Sequence, residues 1–230
     1  TSLFSILCGV SLVTTAQAVS LTTLNEETAQ ADNYAINFSY DQTYTHGSRH
    51  LNGIALNSPT YGYQSVNISA SSTVYNLISE QQFSARPGET VTPTFQFSGT
   101  WMNGFIYLDR GNDGTFDALI NNDGSLPEGS DIMAFSYFNC ADGHSYNSTG
   151  TINSNGNVLN PPAFTIPADL PYGLYRMRYK VDWDSVDPAG RLEDGNGILK
   201  NGGAICDILV NLHGDVCTVQ TTAANGNITD

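Results

Sequence analysis

The chain has 230 residues, with 8 Lys+Arg against 22 Asp+Glu and a formal net charge of -14. That length allows one large or two small domains, and a charge of this sign repels phosphate backbones and anionic lipid, which argues against nucleic-acid binding and electrostatic membrane docking. At 13% charged, 40% hydrophobic and 10% aromatic residues, it is neither a disordered acidic tail nor a charged helical protein.

The N-terminus reads as a processing signal. Phe4 to Val13 is a mostly apolar run without charge, followed by Ala16-Gln17-Ala18 with small-x-small spacing. This is the pattern of a signal peptide over residues 1–18, clipped of its Met and basic start. A bilayer span would need about 20 apolar residues. The competing reading is a buried N-terminal strand. A mature module over 19–230 is expected, as the N-terminal part of a longer protein that is exported to the periplasm, cell surface or medium without membrane insertion. Past the leader, which holds Cys8, the cysteines are Cys140, Cys206 and Cys217, whose spacing matches no zinc site. Cys206 and Cys217 either bridge neighbouring strands or fill gaps as small hydrophobes.

Period-two alternation dominates the rest. Tyr34, Ile36, Phe38 and Tyr40 alternate with small or polar residues, the pattern of a half-buried strand. Similar runs are predicted at 53–56, 64–68, 74–78, 91–97, 104–108, 132–138, 163–166, 172–183 and 203–212. Turn clusters separate them, among them Arg86-Pro87-Gly88, Asn112-Asp113-Gly114, Asn121-Asn122-Asp123-Gly124 and Pro171-Tyr172-Gly173. The best helix candidate, Leu24–Asp32, is short and polar. Many short strands with Gly/Asn/Asp turns and no linker predict an all-β protein, a single-domain antiparallel β-sandwich of jelly-roll or Ig-like type.

One strand separates chemistry by face. Tyr175, Met177, Tyr179, Val181 and Trp183 share one side; Arg176, Arg178, Lys180, Asp182 and Asp184 share the other. The charged side is either a ligand-contacting stripe, its Arg and Asp bonding sugar hydroxyls, or a solvated face paired with carboxylates on neighbouring strands. In the last strand Cys206, Ile208, Val210 and Leu212 point inward, while Asp207 and Asn211 point the other way. Asp182 and Asp184 also sit roughly 6.5–7 Å apart along a strand, near the separation of an inverting glycosidase pair.

The segment Leu108–Asp117 carries the most specific local signal. Calcium takes several carboxylate and carbonyl oxygens around a tight glycine turn. Asp109, Asp113, Gly114 and Asp117 fall on EF-hand positions one, five, six and nine, but Gly111 and Ile120 stand at positions three and twelve, which excludes a full EF-hand. What is left open is a partial calcium loop of Asp109, Asp113 and Asp117, completed by Asn112 or Asp123, or a hairpin turn using Asn-Asp-Gly for its positive-φ positions. His46, His50, His144 and His213 assemble into nothing recognisable, and no GxSxG elbow or phosphate loop occurs. Twelve Tyr, ten Phe and two Trp are many for one small core. Tyr61, Tyr63 and Trp101, beside turns, are the candidates for stacking on sugar rings, the alternative being burial in the sandwich.

Three segments resemble the GEVED family of β-sandwich modules of secreted bacterial proteins. They are Ile106-Tyr107-Leu108-Asp109 followed by Asn112-Asp113-Gly114-Thr115-Phe116, then Pro171-Tyr172-Gly173-Leu174-Tyr175-Arg176-Met177-Arg178, and Gly203-Ala204-Ile205-Cys206-Asp207-Ile208. The last keeps the Gly and Asp of the naming strand but replaces both glutamates, so the chain resembles a divergent member, over about residues 91–212. The resemblance implies an accessory module of exported glycan-degrading enzymes. The expected function is therefore non-catalytic: binding a glycan, or docking a neighbouring catalytic domain of the same chain. The alternatives are a structural or adhesion spacer stiffened by calcium and a small glycoside hydrolase using Asp182 and Asp184.

Overall fold

The computed structural model describes residues 29, 34, 47–68, 74–121, 123–153, 158–159, 161–183 and 202–214. The leader, the start of the module, Cys217, His46, Asp184 and all but one residue each of the first predicted strand and of the helix candidate lie outside them. Eleven strands are described: β1 His50–Ser58, β2 Gly62–Asn67, β3 Tyr75–Ala85, β4 Thr90–Ser98, β5 Met102–Leu108, β6 Ile132–Asn139, β7 His144–Asn147, β8 Ile152–Asn153, β9 Phe164–Thr165, β10 Gly173–Trp183 and β11 Ala204–Leu212. The fold is a β-sandwich. A sheet of order β2-β1-β4-β9 faces a larger one of order β3-β11-β10-β5-β6-β7-β8.

All neighbours pair antiparallel except β3 and β11, which run parallel. A parallel pair needs a long connection, and all of β4 to β10 lies between these two strands in the chain. Every run predicted between residues 53 and 212 coincides with a strand. The short strands β7 and β8 and the polar second half of β3 are additions.

The alternation decides which side chains meet. Between the sheets, Leu51, Ile54 and Leu56 of β1 pack with Ile106 and Leu108 of β5, Met177, Tyr179 and Val181 of β10, and Ile208 and Val210 of β11. Cys206 belongs to this core as a free, buried thiol, so it fills space among hydrophobes, and burial pushes its pKa up. Tyr179, also fully buried, donates its hydroxyl across the core to the Ala55 carbonyl at 2.9 Å. Gly203 leads into β11 where a Cβ would collide with the Val181 carbonyl, so no side chain fits there.

The outer face of the larger sheet is covered as well. The connection 109–131 folds back over it, so that Phe116 packs with Phe105, Tyr107, Ile132 and Phe135, and Tyr34 joins the same cluster. The molecule is thus layered three deep over β10 and β5, and this third layer sets the chemistry of the charged strand face.

Candidate functional site

The period-two reading of β10 separates its two faces correctly, but the charged one is neither solvated nor open as a stripe. Arg176, Arg178, Lys180 and Asp182 have no exposed surface. The physical reason is the third layer, since the Arg176 guanidinium lies 4.5 Å from the Tyr34 ring centre and that of Arg178 4.6 Å from Phe116, while the Lys180 ammonium lies 5.8 Å from Phe105, its neighbour on β5. Each cation has a carboxylate beside it within the layer. Asp207, directly opposite Arg178 in the β10–β11 register, accepts from Arg178 Nε at 2.7 Å and Nη2 at 2.8 Å, a bidentate fork. It also accepts from Arg176 Nη1 at 3.3 Å and from the Tyr75 hydroxyl at 3.1 Å. Arg176 Nε donates to the Ala29 carbonyl at 2.8 Å. Burial works against the charge of Arg178, yet the Asp207 carboxylate outweighs it and holds the guanidinium above the usual arginine range. Lys180 Nζ sits 3.7 Å from Asp182. Asp182 is therefore paired inside the fold, and its proposed glycosidase partner Asp184 lies outside the described residues.

The acidic segment after β5 forms a turn, with Asn112 at φ 50° and Gly114 at φ 90°. It is not a hairpin tip but the start of the covering connection. Asp109 is buried and points inward, accepting from the Tyr34 hydroxyl at 2.5 Å, Gly114 N at 2.9 Å and Asp113 N at 3.3 Å. Asp113 and Asp117 are exposed; Asp113 caps Thr115, accepting from its N–H at 3.0 Å and its hydroxyl at 2.7 Å. Asn112 Nδ2 donates to the Leu174 carbonyl at 3.2 Å. The side chain that closes the segment is Asp131, which accepts from Asp117 N at 2.7 Å and Arg110 N at 3.1 Å. Asp123 instead holds its own turn through Ser125. Burial raises the carboxyl pKa of Asp109 and pushes that of Asp131 up to about 6. Among the described residues no group of three or more His, Cys, Asp or Glu side chains is arranged to hold a metal ion.

The three aromatic candidates part company. Tyr61 pins the end of the sandwich: its ring lies 4.4 Å from that of His213, and its hydroxyl meets His213 Nδ1 at 2.9 Å. Tyr63, on the edge strand β2, is 60% exposed. Trp101 occupies the tight corner by which the chain leaves β4 for β5, crossing from one sheet to the other. It is 51% exposed and has a φ of 59°, a backbone region that costs a bulky residue about 1–3 kcal/mol. Its indole stacks on Phe138 with centroids 5.9 Å apart and planes at 15°. The side chain is thus rigidly presented rather than buried.

Sequence reasoning missed Asp207 as the hub of the buried ladder and Asp131 as the closer of the acidic segment. The register pairing of β10 with β11 was the signal for the first; none existed for the second, which approaches only once 109–131 has folded back. Among the described residues no helix is long and apolar enough to cross a membrane. No family model matches this chain, and no curated protein matches it.

Proposed function

We propose that this chain is an exported, non-catalytic accessory module that binds glycan, with Trp101 as its exposed stacking platform, and works beside a glycan-degrading catalytic domain. The observation that carries the reading is the Trp101 backbone. A large aromatic residue held in a strained left-handed conformation, half exposed and braced by Phe138, points to function because strain of this kind persists where a side chain must be aimed. The signal-peptide pattern and the resemblance to GEVED modules support export and an accessory role. The net charge of -14 favours a neutral ligand over a phosphorylated or sulfated one.

The test is retention of the purified chain on insoluble and immobilised polysaccharides, compared with Trp101→Ala. Retention by the native chain and its loss in the variant support the reading. A folded chain that no polysaccharide retains removes glycan binding and leaves the spacer role.

A second reading, a calcium-stiffened module, is favoured by the two buried carboxylates of Asp109 and Asp131, whose raised pKa values a divalent cation would relieve. Asp109 is already committed to three internal donors, so a cation would compete with the Tyr34 hydroxyl. A melting temperature that is the same in calcium and in EDTA removes this reading, since a ligand selective for the native state stabilises it.

A further inference from the structure

A chain of ring contacts crosses the outer face of the larger sheet. Phe116 meets Tyr107 at a centroid distance of 5.7 Å, Tyr107 meets Phe105 at 6.2 Å, Phe105 meets Phe135 at 6.2 Å and Phe135 meets Tyr137 at 6.3 Å. Its last members, Tyr137 on β6 and Tyr146 on β7, are direct cross-strand partners, stacked at 5.3 Å with planes at 22°. The covering connection buries the first four rings, whereas Tyr137 and Tyr146 are only half-buried. A cleft of about 320 Å³ opens where the cover stops, floored by these rings and walled by the turns around Ser125 and Thr149.

Platform and walls are both held rigid. The Tyr146 hydroxyl donates to Asp142 at 2.5 Å, and Asp142 is itself fixed by His144 N at 2.9 Å and Asn139 Nδ2 at 3.1 Å. On one wall Asp123 Oδ1 accepts the Ser125 hydroxyl at 2.6 Å and its N–H at 3.0 Å. On the other, Asn147 Oδ1 accepts the Thr149 hydroxyl at 2.8 Å and its N–H at 3.0 Å. Groups fixed before binding lose little entropy when a ligand arrives. Among the described residues no Lys or Arg lines the cleft, and Asp123 is its charged group. A phosphate, sulfate or uronate would meet only negative charge there.

An aromatic floor takes the apolar face of a sugar ring, while hydroxyl, amide and carboxylate walls take a ring of hydroxyls. Together with a volume at the lower end of the small-ligand range, the geometry points to a binding subsite for a neutral pyranose unit of a glycan, over Tyr137 and Tyr146 and apart from Trp101. Asp142 is a positioning residue that orients the Tyr146 ring. This deepens the glycan-binding reading and rests on it.

The experiment is isothermal titration of the full chain with neutral gluco-, manno- and xylo-oligosaccharides and with a sulfated oligosaccharide. The native protein is compared with Tyr146→Ala, Thr149→Trp, which fills the cleft from its exposed rim, and Trp101→Ala. Tyr146→Ala and Thr149→Trp are each expected to weaken binding of a neutral oligosaccharide at least tenfold with an unchanged melting temperature. Should Tyr146→Ala unfold, Thr149→Trp decides alone. Native affinity in the cleft variants, with loss confined to Trp101→Ala, overturns the subsite but leaves glycan binding standing. Preference for the sulfated probe overturns the neutral-ligand assignment. Absence of binding to every probe overturns the subsite together with the reading beneath it.

Discussion

The buried charge ladder makes the sharpest prediction about stability. Asp207 has no exposed surface and bridges two guanidiniums that have none either. Asp207→Ala removes the bidentate fork to Arg178 and the single bond to Arg176 while leaving both cations in the sheet. Arg176 keeps the Ala29 carbonyl and the Tyr34 ring, and Arg178 keeps the Phe116 ring, but both lose their bonds to the Asp207 carboxylate. Breaking a buried pair by removing one partner costs about 3–5 kcal/mol, a large share of the roughly 5–15 kcal/mol that a folded domain commands. With a urea dependence of about 2 kcal/mol/M, the unfolding midpoint should fall by roughly 2 M. A companion variant, Arg176→Met/Arg178→Met/Asp207→Leu, replaces the whole cluster by apolar side chains. It should sit within about 1 kcal/mol of the native protein or above it, because burying charges costs about as much as their attraction returns. A midpoint for Asp207→Ala within about 0.5 M of native would refute the argument. It would mean that water reaches the guanidiniums and that the third layer does not seal the strand.

Three further outcomes follow from individual contacts. Burial holds the Asp131 carboxyl at about 6, above its ordinary value of roughly 3.9. A raised folded-state pKa contributes stability that is complete below the unfolded value and is lost as pH climbs through the folded one. The stability of the native protein relative to Asp131→Asn should therefore fall by about 2 kcal/mol between pH 4 and pH 7; a difference flat across that range in pH-resolved urea titrations contradicts the assignment. Tyr179→Phe deletes the bond to the Ala55 carbonyl in the core and should cost about 1–2 kcal/mol, read from the denaturation midpoint, unless Ala55 finds another donor. Trp101→Gly relieves a left-handed backbone while losing an aromatic stack of about 0.5–1.5 kcal/mol. Its stability should stay within about 1 kcal/mol of native while polysaccharide retention disappears, whereas a loss above about 3 kcal/mol would make Trp101 a core residue.

The strands were legible in the sequence because a strand with one apolar and one polar face writes its own period. Tyr175, Met177, Tyr179 and Val181 alternate with charged residues whatever else happens, and they reach the core. His144–Asn147 of β7 has no such record: it is short and polar, and its place comes from pairing with β6. The fate of the charged face was not legible either. Periodicity tells which residues share a side, not whether that side is covered, and the cover comes from 109–131, whose apolar members Phe116, Ala118, Ile120 and Leu126 include no strand. Asp109 was recognised as a special residue, part of a partial calcium loop or of a turn, but its bond to the Tyr34 hydroxyl joins residues far apart in the chain and left no local sign. Of the aromatic candidates, a flanking turn marked Trp101 correctly as exposed, while the same cue at Tyr61 concealed a side chain bound to His213.

The strand order also bears on how the chain is made. β10 and β11 lie in the interior of the larger sheet, yet they are the last two strands of the described fold. On a ribosome, β3, β5 and β6 emerge with their central neighbours still unsynthesised, and Arg176 and Arg178 appear before the Asp207 that bridges them. Docking must wait until the chain has passed Leu212, so folding is dominated by contacts distant in sequence and is slow for the protein's size. A nascent or truncated chain stopping before Ala204 would expose an unpaired β10 edge, with Arg176 and Arg178 lacking the Asp207 carboxylate. Such an intermediate gives chaperones and proteases a point at which to intercept incomplete molecules before they aggregate.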